Sequence, residues 1–139
     1  MVLKSFTNEI AYEIGTSIIG LAKKRHQSVG VLVASLNQDI FLYMMKGLSA
    51  DKNHWLRRKK NSVIRYSVST LSLYKKFSGE IPYEKYGISS EDFTATPGGV
   101  PIFVNGTMVG VVAVTGLTPE EDHQLILDVI GEMEVFNEI

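Results

Sequence analysis

The sequence predicts an α/β (α+β) fold in which two β-hairpins build one antiparallel sheet flanked by α-helices. Three observations lead there. Asn105-Gly106 separates the β-branched runs 100–104 and 108–115, and both positions of such a two-residue turn need positive φ, which Asn and Gly tolerate. The apolar runs 29–35 and 40–45 bracket a second short turn, Leu36-Asn37-Gln38-Asp39. Apolar residues at helical spacing occur before, between and after the two hairpins, so helices are available to cover the sheet.

Residues 7–26 read as a helix, because Ile10, Ile14, Ile18 and Leu21 recur at spacings of three and four with Ala11 and Ala22 alongside. Thr7 is its N-cap, Glu9 lies in the first turn, and Lys23-Lys24-Arg25-His26 closes the negative end of the dipole. The runs 29–35 and 40–45 do not alternate cleanly, so both strands are expected to be covered on both faces. Ser49 or Asp51 caps a long basic helix over 52–76, broken once, with its buried stripe at Trp55, Val63, Tyr66, Thr70 and Leu73. Lys52, Arg57, Arg58, Lys59 and Lys60 crowd its first turns, where cations repel one another and the dipole. Such a local conflict marks functional or interface sites, although a solvated face also tolerates it.

Residues 77–99 form a turn-rich connector containing Pro82, Gly87, Pro97, Gly98 and Gly99, pinned to the core by Tyr83 and Tyr86. Gly116 ends the second hairpin. The last helix begins at Pro119 behind the cap Thr118, with Glu120, Glu121 and Asp122 at its positive end. Its stripe is Leu125, Ile126, Val129, Ile130, Met133 and Phe136.

The 139 residues, 45% hydrophobic and 21% charged, suit one domain spanning 1–139. The absence of cysteine excludes disulfides, thiolate nucleophiles, zinc ribbons and covalently attached haem. Neither a leader with a basic tip nor an apolar run near the ~20 residues of a membrane span is visible, so a cytosolic protein without a membrane segment is expected. The net charge of −1 conceals an imbalance: residues 1–76 hold 13 Lys/Arg against 4 Asp/Glu, and residues 77–139 hold 1 against 11. Either the halves neutralise each other within the domain, or a basic face meets the acidic face of another copy.

The three histidines, His26, His54 and His123, show no His-x-x-x-His spacing, so no metal set is assigned. Gly-x-Ser-x-Gly is absent, and Pro97-Gly98-Gly99 lacks the remainder of a phosphate loop. Those glycines permit a tight bend or close approach of backbone to a ligand. Trp55 beside Arg57-Arg58-Lys59-Lys60 has the makings of a base-stacking platform. The slightly negative chain and the lack of a nucleic-acid module argue against that partner.

The stretch Thr96-Pro97-Gly98-Gly99-Val100-Pro101-Ile102, then Gly110 to Gly116, then Glu120-Glu121-Asp122-His123 resembles the haem-degrading domain family over essentially the whole chain. The segments 55–60 and 117–123 look like its cytosolic, largely uncharacterised branch. The resemblance implies a profilin-like sandwich and a homo-oligomer, dimeric or higher. It also raises haem as a ligand, since some relatives bind or degrade it, while assigning no haem ligand and no catalytic residue. It places Thr115, Asp122 and His123 where the family's C-terminal motif runs. The expected ligand-binding set is therefore His54, Trp55, Arg58, Gly98, Gly99, Thr115 and His123, bordering a pocket near a subunit contact. Two alternatives remain: a non-enzymatic oligomeric interaction module, and general acid/base catalysis by His123 with Asp122 or Glu121.

Overall fold

The computed structural model describes the backbone of residues 1–132 and the side chains of 1–131; Met133 and Phe136 of the expected last stripe lie outside the described residues. The chain runs β1 (Val2–Leu3), α1 (Asn8–Lys24), β2 (Gly30–Ser35), β3 (Asp39–Met44), α2 (Ala50–Tyr66), α3 (Thr70–Lys76), α4 (Tyr83–Tyr86), β4 (Gly99–Val104), β5 (Thr107–Thr115) and α5 (Pro119–Glu132). These strands form one five-stranded sheet in the order β1-β4-β5-β2-β3.

Both expected hairpins are present, and β2 joins them by pairing antiparallel with β5, Gly30 opposite Thr115 and Ser35 opposite Gly110. Asn105 and Gly106 take φ of 51° and 78°, the two positive values that the turn requires. Strand β1 was not expected. It adds a parallel partner to β4, Val2 opposite Phe103, and two residues are too short to show any periodicity.

Successive residues of the inner strands point to opposite helical layers. Val31, Val33, Val100, Ile102, Val112 and Val114 pack with α1 and α5, through Ile14, Ile18, Leu125 and Ile126. Leu32, Ala34, Val111 and Ala113 face Leu56 and Val63 of α2. A small third cluster of Leu73, Ile81 and Ala95 anchors the connector, with Tyr66, Phe77 and Tyr83 at its margin.

Two expectations need correction. Strand β3 is not covered on both faces: it lies at the sheet edge, and Leu42 and Tyr43 are 47% and 50% exposed. The single break expected in the basic helix falls after Tyr66, where Ser67 takes a left-handed conformation (φ 59°) and Ser69 re-caps the chain by accepting from the Ser72 N–H. The buried stripe of α2 is Leu56, Lys59, Ser62 and Val63, whereas Trp55 and Tyr66 are half-buried. Part of the charge imbalance is met inside the molecule. Among the described ion pairs, Arg25–Asp128, Arg57–Asp92 and Lys59–Asp122 join the basic half to the acidic half.

Candidate functional site

Leu56, Lys59 and Val63 follow one another at spacings of three and four along α2, so the helix carries Lys59 inward with its apolar neighbours. The side chain ends between the helical layers and the residue is 1% exposed. Its Nζ donates to the Val114 carbonyl at 2.7 Å and to Oδ2 of Asp122 at 3.2 Å.

Asp122 is presented by the first turn of α5. Thr118 and Glu121 form a capping box there: the Glu121 N–H donates to Thr118 Oγ1 at 3.3 Å and the Thr118 N–H donates to Glu121 Oε1 at 3.2 Å. That leaves Asp122, 2% exposed, to accept the Leu117 N–H on Oδ1 at 3.0 Å and the lysine on Oδ2. The ion pair thus links α2 on one face of the sheet to α5 on the other. Burial pushes the Asp122 carboxyl up to about 6, against the opposing pull of the Lys59 charge. Burial likewise lowers the Lys59 pKa, more than Asp122 raises it.

The Pro-Gly-Gly motif makes room for this pair. Gly98 has φ +126°, and a Cβ there would stand 2.6 Å from Lys59 Nζ and 2.7 Å from the Val114 carbonyl. At Gly99 a Cβ would press on Val63 at 3.0 Å, and the Gly99 N–H donates to Thr70 Oγ1 at 3.0 Å. The bend and the close approach are therefore both present, but what approaches is α2.

A cleft of about 330 Å³ reaches the pair, lined by Lys52, Trp55, Thr96 and Thr115 together with Lys59 and Asp122. Trp55 and Thr96 also border a second cleft of about 410 Å³, with Arg58, Tyr74 and Tyr83. The structure thereby brings Trp55, Arg58 and Thr115 of the expected set to these two clefts, while Gly98 and Gly99 pack against Lys59 and line neither. It sends His54 to a third cleft of about 420 Å³, beside Arg57, Lys60 and Leu42 of the edge strand. His123 is half-buried with its Nδ1 unpartnered, and it lines none of these clefts. Burial and then Lys75 lower its pKa, with no contribution from Asp122 or Glu121.

Lys59 and Lys52 are absent from the expected binding set. For Lys59 a signal existed: its place between Leu56 and Val63 on one helical face. The run of four cations, 57–60, hid it, because nothing local tells the buried lysine from three less buried neighbours.

The model of the haem degrading protein HbpS-like family matches residues 6–130. The chain belongs to that family. A UPF0303 protein of Rhizobium rhizogenes is 34% identical over 132 residues, which is 91% of this chain and 80% of that protein. The crystal structure of the Ybr137w protein aligns with a TM-score of 0.86 at 24% identity, covering 99% of this chain and 82% of that one. A crystal structure of a PduOC:haem complex aligns with a TM-score of 0.79 at 12% identity, covering 94% and 96%. The likeness to these two structures is one of fold.

Haem is the group in the family's description. Its iron takes an imidazole, thiolate, thioether or phenolate ligand, and the Lys59–Asp122 cleft is lined by none of these. The cleft therefore offers no ligand to a haem iron within one copy of the chain. His54 lies 3.5 Å from an Arg57 guanidinium nitrogen through its Nδ1.

Proposed function

We propose that this family member binds a small planar anion in the Lys59–Asp122 cleft, against Trp55, and recognises it by charge and shape rather than through a metal. One observation carries the reading: a fully buried ion pair stands at the wall of an open cleft instead of deep within the apolar core. A buried pair adds little to stability for its cost of desolvation. At a cleft it supplies a fixed charge and, with Asp122 titrating near 6, a proton exchangeable near neutrality. Lys52 adds a second cation, Thr96 and Thr115 add hydroxyls, and the volume falls within the usual range for ligand sites.

The catalytic alternative has less support. Asp122 is turned to Lys59, Glu121 is held in the cap, and His123 is influenced by Lys75 instead of either acid.

Metal-free protoporphyrin IX and haemin separate the readings, since both are planar carboxylates and one carries iron. Trp55 is the sole tryptophan, so its emission reports the cleft. Both compounds should quench it saturably with affinities within a few-fold, and Lys52→Gln should weaken both. Binding of haemin alone, with a Soret shift lost in His54→Ala or His123→Ala, overturns the proposal.

A second reading concerns assembly. The exposed Leu42 and Tyr43 on the free edge of β3 favour a homo-oligomer joined there. A second copy on that edge would place the His54 cleft near the subunit contact. The proposed setting is a single cytoplasmic domain; among the described residues no helix is long and apolar enough to cross a membrane. Light scattering in low and 1 M salt tests the assembly. An oligomer held by this apolar edge persists at 1 M, where the Debye length is about 3 Å, and dissociation there assigns the contact to charge instead.

A further inference from the structure

Of the four consecutive cations on α2, three have a carboxylate partner. Arg57 pairs with Asp92 at 3.1 Å, Lys59 with Asp122 at 3.2 Å and Lys60 with Asp39 at 2.8 Å. Arg58 has none among the described ion pairs. Its guanidinium lies 4.0 Å over the Trp55 ring, one nitrogen donates to the Phe93 carbonyl at 3.3 Å, and its Nε is buried without a partner. A half-buried guanidinium with an unmet donor is costly unless something supplies the missing acceptor. Stacking and the carbonyl bond also hold it in place, so little ordering would be lost on binding.

This guanidinium lines the 410 Å³ cleft, which is distinct from the Lys59–Asp122 cleft although both touch Trp55 and Thr96. Its other walls suit an organic anion. Tyr74 offers a ring 43% exposed. Tyr83 donates its hydroxyl to the same Phe93 carbonyl at 3.3 Å. Ser78 and Thr94 add hydroxyls. The acid of the cleft, Glu80, is exposed and makes no ion pair with Arg58. Arg58 is the one cation among the lining residues, and Glu80 repels any negative charge beyond the one that Arg58 pairs. A singly charged carboxylate satisfies Arg58, whereas the second charge of a phosphate would stand unbalanced before Glu80.

We infer that the Arg58 cleft is a second binding site, for a monocarboxylate carried on a flat apolar body, with the carboxylate on the Arg58 guanidinium and the body against Tyr74. Benzoate is the probe, benzamide its neutral counterpart and phenyl phosphate its dianionic one. The Trp55 indole N–H in a ¹H–¹⁵N spectrum of the full chain and calorimetry give the readouts. Benzoate should bind saturably, with benzamide and phenyl phosphate each about tenfold weaker or more. Arg58→Gln should cost about tenfold, Arg58→Lys less, and Lys52→Gln nothing. Tyr74→Ala, on an exposed side chain, should weaken binding several-fold and keeps the test valid if Arg58→Gln fails to fold. Equal affinity for benzamide, absence of saturable benzoate binding, or indifference to both Arg58→Gln and Tyr74→Ala overturns the inference. Loss with Lys52→Gln instead moves benzoate to the Lys59–Asp122 cleft, which sinks this site and leaves the proposed function standing.

Discussion

Replacing Lys59 with methionine removes one charge from the buried pair and keeps most of the aliphatic stem. Asp122 then remains 2% exposed with only the Leu117 N–H as a partner. Removing one member of such a pair costs about 3–5 kcal/mol. The pH dependence follows from the carboxyl. In the folded chain it titrates near 6, against an ordinary 3.8, so between those values the native state holds a proton that the unfolded state has released. Stability in that window falls as pH rises, by about 3 kcal/mol across it. Lys59 is the largest influence opposing this rise. Without it the carboxyl titrates higher still and the window extends upward. Lys59→Met should therefore be mildest near about pH 5, where Asp122 is neutral, and most severe near about pH 8. Lys59→Met with Asp122→Asn keeps an acceptor for Leu117 and should return to within about 1 kcal/mol of the parent, because neutral replacement of both partners is tolerated. Urea unfolding followed by Trp55 emission, at unchanged m, measures each value. A single-variant cost below about 1 kcal/mol at pH 8, a cost indifferent to pH, or a double variant as unstable as the single one would refute the reasoning.

Gly15→Ala in the middle of α1 gains about 1 kcal/mol of helix propensity, but its Cβ would run into the Phe41 ring. Overpacking costs about 1–3 kcal/mol, so the melting temperature should fall, and a rise would show that Phe41 swings aside freely. Thr118→Ala removes the acceptor of the Glu121 N–H and should lower unfolding stability by about 1 kcal/mol. Gly106→Ala meets open space at φ +78° and loses about 1–2 kcal/mol to backbone strain. Gly98→Ala adds a collision with Lys59 to its strain and should lose distinctly more in the same denaturation series.

The elements most legible in the sequence were those with local chemical causes. Asn105-Gly106 forces its turn, Thr118-Pro119 with three acids starts α5, and Thr7 accepts the Ile10 N–H at 3.1 Å as the cap of α1. What escaped depends on partners distant in sequence. Strand β1 exists because Met1 and Val2 meet a strand about a hundred residues away, Phe103 donating to the Met1 carbonyl at 2.9 Å. The exposure of β3 depends on which strand lies beyond it, and no local pattern records that. Of the expected ligand set, the residues that share one helical face or one loop, as Trp55 and Arg58 or Gly98 and Gly99 do, lie close together in the fold. His54 and His123 lie apart from these, because their side chains leave their helices in directions that only the packed layers fix. Lys59 shared a helical face with Leu56 and Val63, but its partner lies 63 positions along the chain, where no local pattern points to it.

Strand β5 lies between β2 and β4, so the two hairpins meet only through it. A ribosome emits β2 about 80 residues before β5 is complete, which at 5–20 residues per second is roughly 4–16 s. Throughout that interval the nascent ribbon of β2 and β3 shows an unclaimed margin rich in valine. Early shelter by a chaperone, or by the departing α1 folding back, would decide how much newly made chain escapes clumping.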